Sequence, residues 1–97
     1  MDIVQKLLVK IDRRIRQYMV NYKINKIKYS CLTEIAADAI YLDIYQLENT
    51  AKKLEKMKKR FPAYSPEFSC RIVQINSLIQ AQENLIYHLP KSSSKWL

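Results

Sequence analysis

A chain of 97 residues, 48% apolar and with a formal charge of +8, has room for one compact core and none for a second domain of ordinary size. It contains no glycine, which excludes the phosphate-cradling loops and dinucleotide folds whose backbones need positive φ or close approach to a ligand. Cys31 and Cys70 lack the CxxC spacing of a zinc site and the lone His88 supplies no second ligand set, so no metal or other cofactor is expected.

The first predicted element is an amphipathic helix over about residues 3–28. Val4, Leu8, Ile11, Ile15, Tyr18 and Tyr22 recur at four-three spacing, which places them on one helical face. Ile3, Leu7 and Met19 widen that stripe, while Lys6, Lys10, Arg13, Arg14 and Arg16 occupy the other faces. From Asn21 to Tyr29 the pattern suits either a continued helix or an extended link, and the break is placed near Lys28. Met1 opens no secretory pattern and no apolar run reaches spanning length, so a cytoplasmic chain with both thiols reduced is expected. A basic amphipathic helix can also lie on an anionic membrane. Here the apolar stripe is ample enough to pack inside the protein, and no membrane partner is expected.

The second helix is predicted over about residues 31–60, with Ser30 or Thr33 as its cap and Glu34 suited to the positive end of its dipole. Ala37, Ile40, Ile44, Leu47, Ala51 and Leu54 continue one seam from Thr33. Leu32, Ile35, Ala36, Ala39 and Leu42 supply a second apolar face over the first half, the pattern of a central helix with two neighbours. At 1.5 Å per residue its length is roughly 40 to 45 Å, enough to overhang the others.

Phe61 to Glu67 reads as a stop, a short loop and a start, with Ser65 at the cap, Pro66 in the first helical position and Glu67 just inside. The third helix then runs over about residues 66–89. Phe68, Ile72, Ile75, Ile79, Ile86 and Leu89 hold the same spacing, Gln82 is the one polar intrusion, and Pro90 closes the element. Residues 91–97, with three consecutive serines and then Trp96, read as a flexible tail. The expected architecture is a single all-α domain, residues 1–90, folded as a three-helix antiparallel bundle with a long central helix.

Charge is unevenly spread along these elements. Residues 31–51 hold Glu34, Asp38, Asp43 and Glu48 and no base. Lys52, Lys53, Lys56, Lys58, Lys59 and Arg60 then meet only Glu55. In an antiparallel hairpin the start of the first helix lies beside this block, so Lys6, Lys10, Arg13 and Arg14 should join it in one positive end. Such lysines oppose the helix dipole and keep a protein soluble; they also make a candidate anion or phosphate site. Asp38, Tyr41 and Tyr45 share a face and, with Trp96, are candidate protein-interface anchors, since tyrosine and tryptophan are enriched at interfaces. The bland alternative makes the tyrosines core edges whose hydroxyls reach water.

Nothing in the pattern calls for an enzyme. Glu34 and Asp38 have the spacing of paired carboxylates, but no histidine or metal ligand accompanies them. Cys31 and His88 have no sequence feature that would bring them together. The run Leu32 to Ala39 looks like the first helix of a helix-turn-helix, yet the turn it requires would fall near Ile40, where the helical stripe simply continues.

The opening Met1 to Leu8, the basic helical character, the length and the Phe61-Pro62-Ala63-Tyr64-Ser65-Pro66 link together resemble the small anti-RecBCD modulator proteins of lambda-like Salmonella phages. That resemblance spans the whole chain and matches no compact motif, so it assigns no binding residue. It implies a host RecBCD partner engaged through RecC, suppression of Chi-directed behaviour, and recruitment of a host prolyl isomerase, for which Pro62 and Pro66 would be the candidate sites. A basic chain cannot imitate duplex DNA, so a modulator of this kind would grip protein surface, or DNA and protein together. The alternative expectation is a small basic DNA-binding protein making non-specific nucleic-acid contacts.

Overall fold

The computed structural model describes residues 2–29 and 33–87, without the side chains of residues 28, 29 and 33–36. The proposed cap Ser30, both members of the Cys31 and His88 pair, the closing Pro90, and the 91–97 tail with Trp96 lie outside the described residues, as does the Glu34 side chain.

Three helices and no strand make up the described chain: α1 (Ile3–Tyr29), α2 (Thr33–Arg60) and α3 (Ser65–Tyr87), with a single 3-10 turn, Pro62–Tyr64, before the last. They form an all-α three-helix bundle. α1 and α2 run antiparallel, because the Asn25 amide donates to Asp43 and the Tyr18 hydroxyl donates to Gln46. α3 runs parallel to α1, with Arg71 on Asp12 and Tyr64 on Asp2. The result is a rod of 49 × 21 × 15 Å.

The predicted stripes make the core. Val4, Leu8, Ile11, Ile15 and Tyr18 are buried and pack with Leu47 and Leu54 of α2 and with Phe68, Ile72 and Ile75 of α3. Ile3 and Met19, expected to widen the first stripe, are exposed, since each lies one 100° step off the face that meets the partners. Of the second apolar face expected on α2, Leu32 and the side chains of Ile35 and Ala36 lie outside the described residues, and Ala39 is half-buried. Leu42 is 55% exposed, and the buried positions that accompany the seam are Asp43 and Thr50. α2 is the longest of the three helices, five residues longer than α3. It exceeds α1 by one residue, 28 against 27, and each of the three helices packs against both others.

The link between α2 and α3 differs from the expected loop. Phe61, at φ −123° and ψ 73°, carries the break, as the residue before a proline is pushed out of the helical region. Pro62 then opens the 3-10 turn, and Ser65 is already helical at φ −52° and ψ −44°. Ser65 is therefore the first residue of α3 and not its N-cap, and its own N–H donates to the Pro62 carbonyl to close the 3-10 turn; Pro66 is tolerated because first-turn amides have no intrahelical acceptor to lose. No peptide bond among the described residues is cis.

The start of α1 is a capping box. The Gln5 amide donates to Asp2 Oδ1 at 2.8 Å and the Asp2 amide to Gln5 Oε1 at 3.4 Å, a reciprocal pairing that satisfies two orphan donors. The other Asp2 oxygen accepts the Tyr64 hydroxyl at 2.6 Å. That bond, followed by the Gln5 amide, holds the Asp2 carboxyl below its usual range and raises the Tyr64 phenol. Among the described residues the one ion pair is Arg71 with Asp12, Nε to Oδ1 at 3.0 Å, reinforced by Nη2 to Oδ2 at 3.0 Å. This two-pronged clamp ties α1 to α3 along their lower halves.

Candidate functional site

Four of the expected cations come together around one groove. Leu7 and Ile11 of α1 face Leu54 and Met57 of α2 across a shallow groove of about 430 Å³, and Arg14, Lys53, Lys56 and Arg60 stand around it. Arg14 reaches this groove because it follows Leu7 and Ile11 at helical spacing on the flank turned to α2. Arg13, one 100° step away, is exposed outside it, and so are Lys6 and Lys10. Of the remaining candidates, Lys52 and Lys59 lie exposed beyond the rim of α2 and Lys58 is half-buried. The Arg60 guanidinium also sits 5.6 Å over the Phe61 ring, a cation–π contact that orients it at the turn.

The combination of four cations and an aliphatic floor constrains the ligand. A phosphodiester surface is met by hydrogen-bond donors, and an aliphatic floor contributes nothing to it. An amphipathic acidic segment uses both halves of the site, its carboxylates on the rim and its apolar side chains on the floor.

A second, larger groove of about 810 Å³ runs between α1 and α3, with Ile15, Met19, Val73 and Leu78 on its walls and the Asp12–Arg71 pair at one end. Cys70, a free and exposed thiol, borders it.

The candidate interface residues of α2 face solvent. Tyr41 is 44% and Tyr45 63% exposed, and Asp38 is exposed beside them, so Tyr45 in particular is no core edge. Pro62 and Pro66 are both exposed at the opposite end of the rod. α2 passes through Ile40 without a break, and so lacks the turn that a helix-turn-helix requires.

A polar layer crosses the upper half of the bundle, and only its Gln82 member stands out in the sequence pattern. Gln82 is fully buried on α3 and its Nε2 lies 3.5 Å from Asp43 Oδ2, the same oxygen that accepts the Asn25 amide at 3.1 Å. Burial pushes the Asp43 carboxyl up; the amides of Asn25, Asn21 and Gln82 oppose that shift only in part. Tyr18, beside this layer, is raised by its own burial and then by the Asp43 charge. Gln82 Oε1 has no partner among the described residues. Gln82 was visible as the polar intrusion in an apolar stripe; its partner was hidden in a run that reads as an acidic surface.

Among the described residues there is no group of three His, Cys, Asp or Glu side chains placed to hold a metal ion, and no helix is long and apolar enough to cross a membrane. Comparison with protein-family models, curated proteins and solved structures gave no match.

Proposed function

We propose that this chain is a non-catalytic docking protein that binds a host DNA-processing complex of the RecBCD type in the host cytoplasm and modulates what that complex does. The observation that supports docking on protein is the groove itself: Arg14, Lys53, Lys56 and Arg60 around a floor of Leu7, Ile11, Leu54 and Met57. Its chemistry suits an acidic, partly apolar protein segment. The choice of a RecBCD complex, contact through RecC and recruitment of a prolyl isomerase to exposed Pro62 or Pro66 rest on the whole-chain resemblance alone.

Direct binding of nucleic acid is the second reading, favoured by the four clustered cations. The two readings separate in one experiment. Affinity purification of the tagged chain from host cells should enrich one DNA-processing complex, and Arg14→Glu with Lys53→Glu should weaken that capture about tenfold or more while slowing association. Recovery of DNA with no enriched protein would defeat docking. In that case binding to generic duplex should fall with salt at a logarithmic slope of roughly −0.9 for each phosphate engaged.

A further inference from the structure

We propose that the solvent face of α2 is a self-association surface, through which two copies of this chain pair as an antiparallel, two-fold symmetric dimer. The face carries Asp38, Tyr41, Tyr45, Lys52, Lys56 and Lys59, all exposed. Their spacings along the helix, 3, 4, 7, 4 and 3 residues, read the same from either end. All six therefore share one stripe of a 3.6-residue helix, and a second copy turned end for end presents the same stripe in register. Its axis falls between Glu48 and Asn49.

Charge along the stripe is ordered to match. The half before the axis holds Asp38, Tyr41 and Tyr45, and the half after it holds Lys52, Lys56 and Lys59. In the antiparallel pairing Asp38 meets Lys59 of the second copy, and Tyr45 meets Lys52, an ammonium opposite an aromatic ring. Each contact is made twice, as isologous symmetry demands. A parallel pairing would instead set lysine against lysine along half the face.

Among the described residues the ion pair that forms is Arg71 with Asp12, elsewhere on the bundle, and neither Asp38 nor the stripe lysines join it. Leu42, 55% exposed beside the stripe, adds apolar area at its margin. Glu48 approaches its symmetry mate near the axis, with Lys52 one turn along the same helix to offset the repulsion. The interface is a single helix face, at the small end of specific protein interfaces, and its electrostatic part is screened by salt. Such a dimer is weak and salt-sensitive.

This surface is separate from the proposed groove, with Lys56 alone common to both, so the test uses Asp38 and Lys59, which line neither groove. Light scattering at low salt should give the full chain a mass twice its 11.6 kDa, falling toward one chain as salt rises. Asp38→Lys and Lys59→Glu should each remain helical by circular dichroism and shift to the one-chain mass. Combining both reversals in one chain should restore the two-chain mass, and so should mixing the two single variants, since either arrangement re-forms opposite-sign contacts. A wild-type chain that stays at one-chain mass at every concentration would overturn the proposal, as would a two-chain mass that survives both single reversals. Loss of partner capture in the groove variants, with the mass unchanged, would bear on docking and leave self-association standing.

Discussion

Phe68→Ala is expected to remove most of the stability of the fold. Phe68 is fully buried in the first turns of α3, inside the cluster where Leu8 and Ile11 of α1 meet Leu54 of α2. Truncating it loses the transfer free energy of the ring and leaves a cavity that three rigid helices cannot close, a cost of about 3–5 kcal/mol. A domain this small sits toward the lower end of the range of about 5–15 kcal/mol, so the loss takes most of its stability and should lower the urea midpoint steeply. Urea titration followed by helical circular dichroism measures the effect, with Val73→Ala as a control. Val73 is 64% exposed, and its truncation should change stability by less than about 0.5 kcal/mol. If Phe68→Ala and Val73→Ala unfold at the same urea concentration, the packing of α3 is not as described.

Asp43→Asn should have the opposite effect and make the protein more stable at neutral pH. The native state raises the Asp43 carboxyl above its usual value, chiefly through burial. Folding therefore favours the neutral acid. The stability linked to this group is fully present below the unfolded value of about 3.9 and is lost as pH rises through the raised native value. An amide at position 43 never carries that charge. It can still accept from Asn25, and it can donate to the unpartnered oxygen of Gln82, as the protonated acid can. The variant and the wild type should thus be nearly equal in stability near pH 3, as estimated from that unfolded value, and diverge upward. By neutral pH the gain should reach about 1–2 kcal/mol, the cost of leaving one such buried polar group unsatisfied. Taking the difference between the two proteins at each pH cancels the acid loss at Asp2, whose carboxyl is shifted the other way. A variant less stable than wild type at neutral pH, with an unchanged pH slope, would contradict this account.

Much of the architecture is written in local pattern. The stripe from Val4 to Tyr18 and its counterpart from Phe68 to Ile75 became the core with few substitutions of role, because helical periodicity needs no knowledge of partners. Where the reading and the structure part, the deciding information lies on another helix. Arg13 and Arg14 are indistinguishable by charge, and only the position of α2 selects Arg14 for the groove. Leu42 looks like core until the directions of α1 and α3 from α2 are known. The turn at Phe61 was readable in principle. Pro66 marks the start of α3 to within one residue, since the helix begins at Ser65, whereas Pro62 opens the 3-10 turn before it. Asp2 and Gln5 also carry a capping-box spacing in the sequence.

The polar layer also determines how the helices can be aligned. If α3 slid along α2 by one turn, the residue opposite Asp43 would become Leu78 or Ile79 in one direction and Leu85 or Ile86 in the other. Either slip strands the Asp43 carboxylate against hydrocarbon with one donor fewer, whereas the aliphatic layers below would tolerate the exchange of one leucine for another. A bundle of uniform stripes has several nearly equal registers; one buried acid met by the buried amides of Asn25 and Gln82 leaves this one with a preferred alignment, at some expense in total stability.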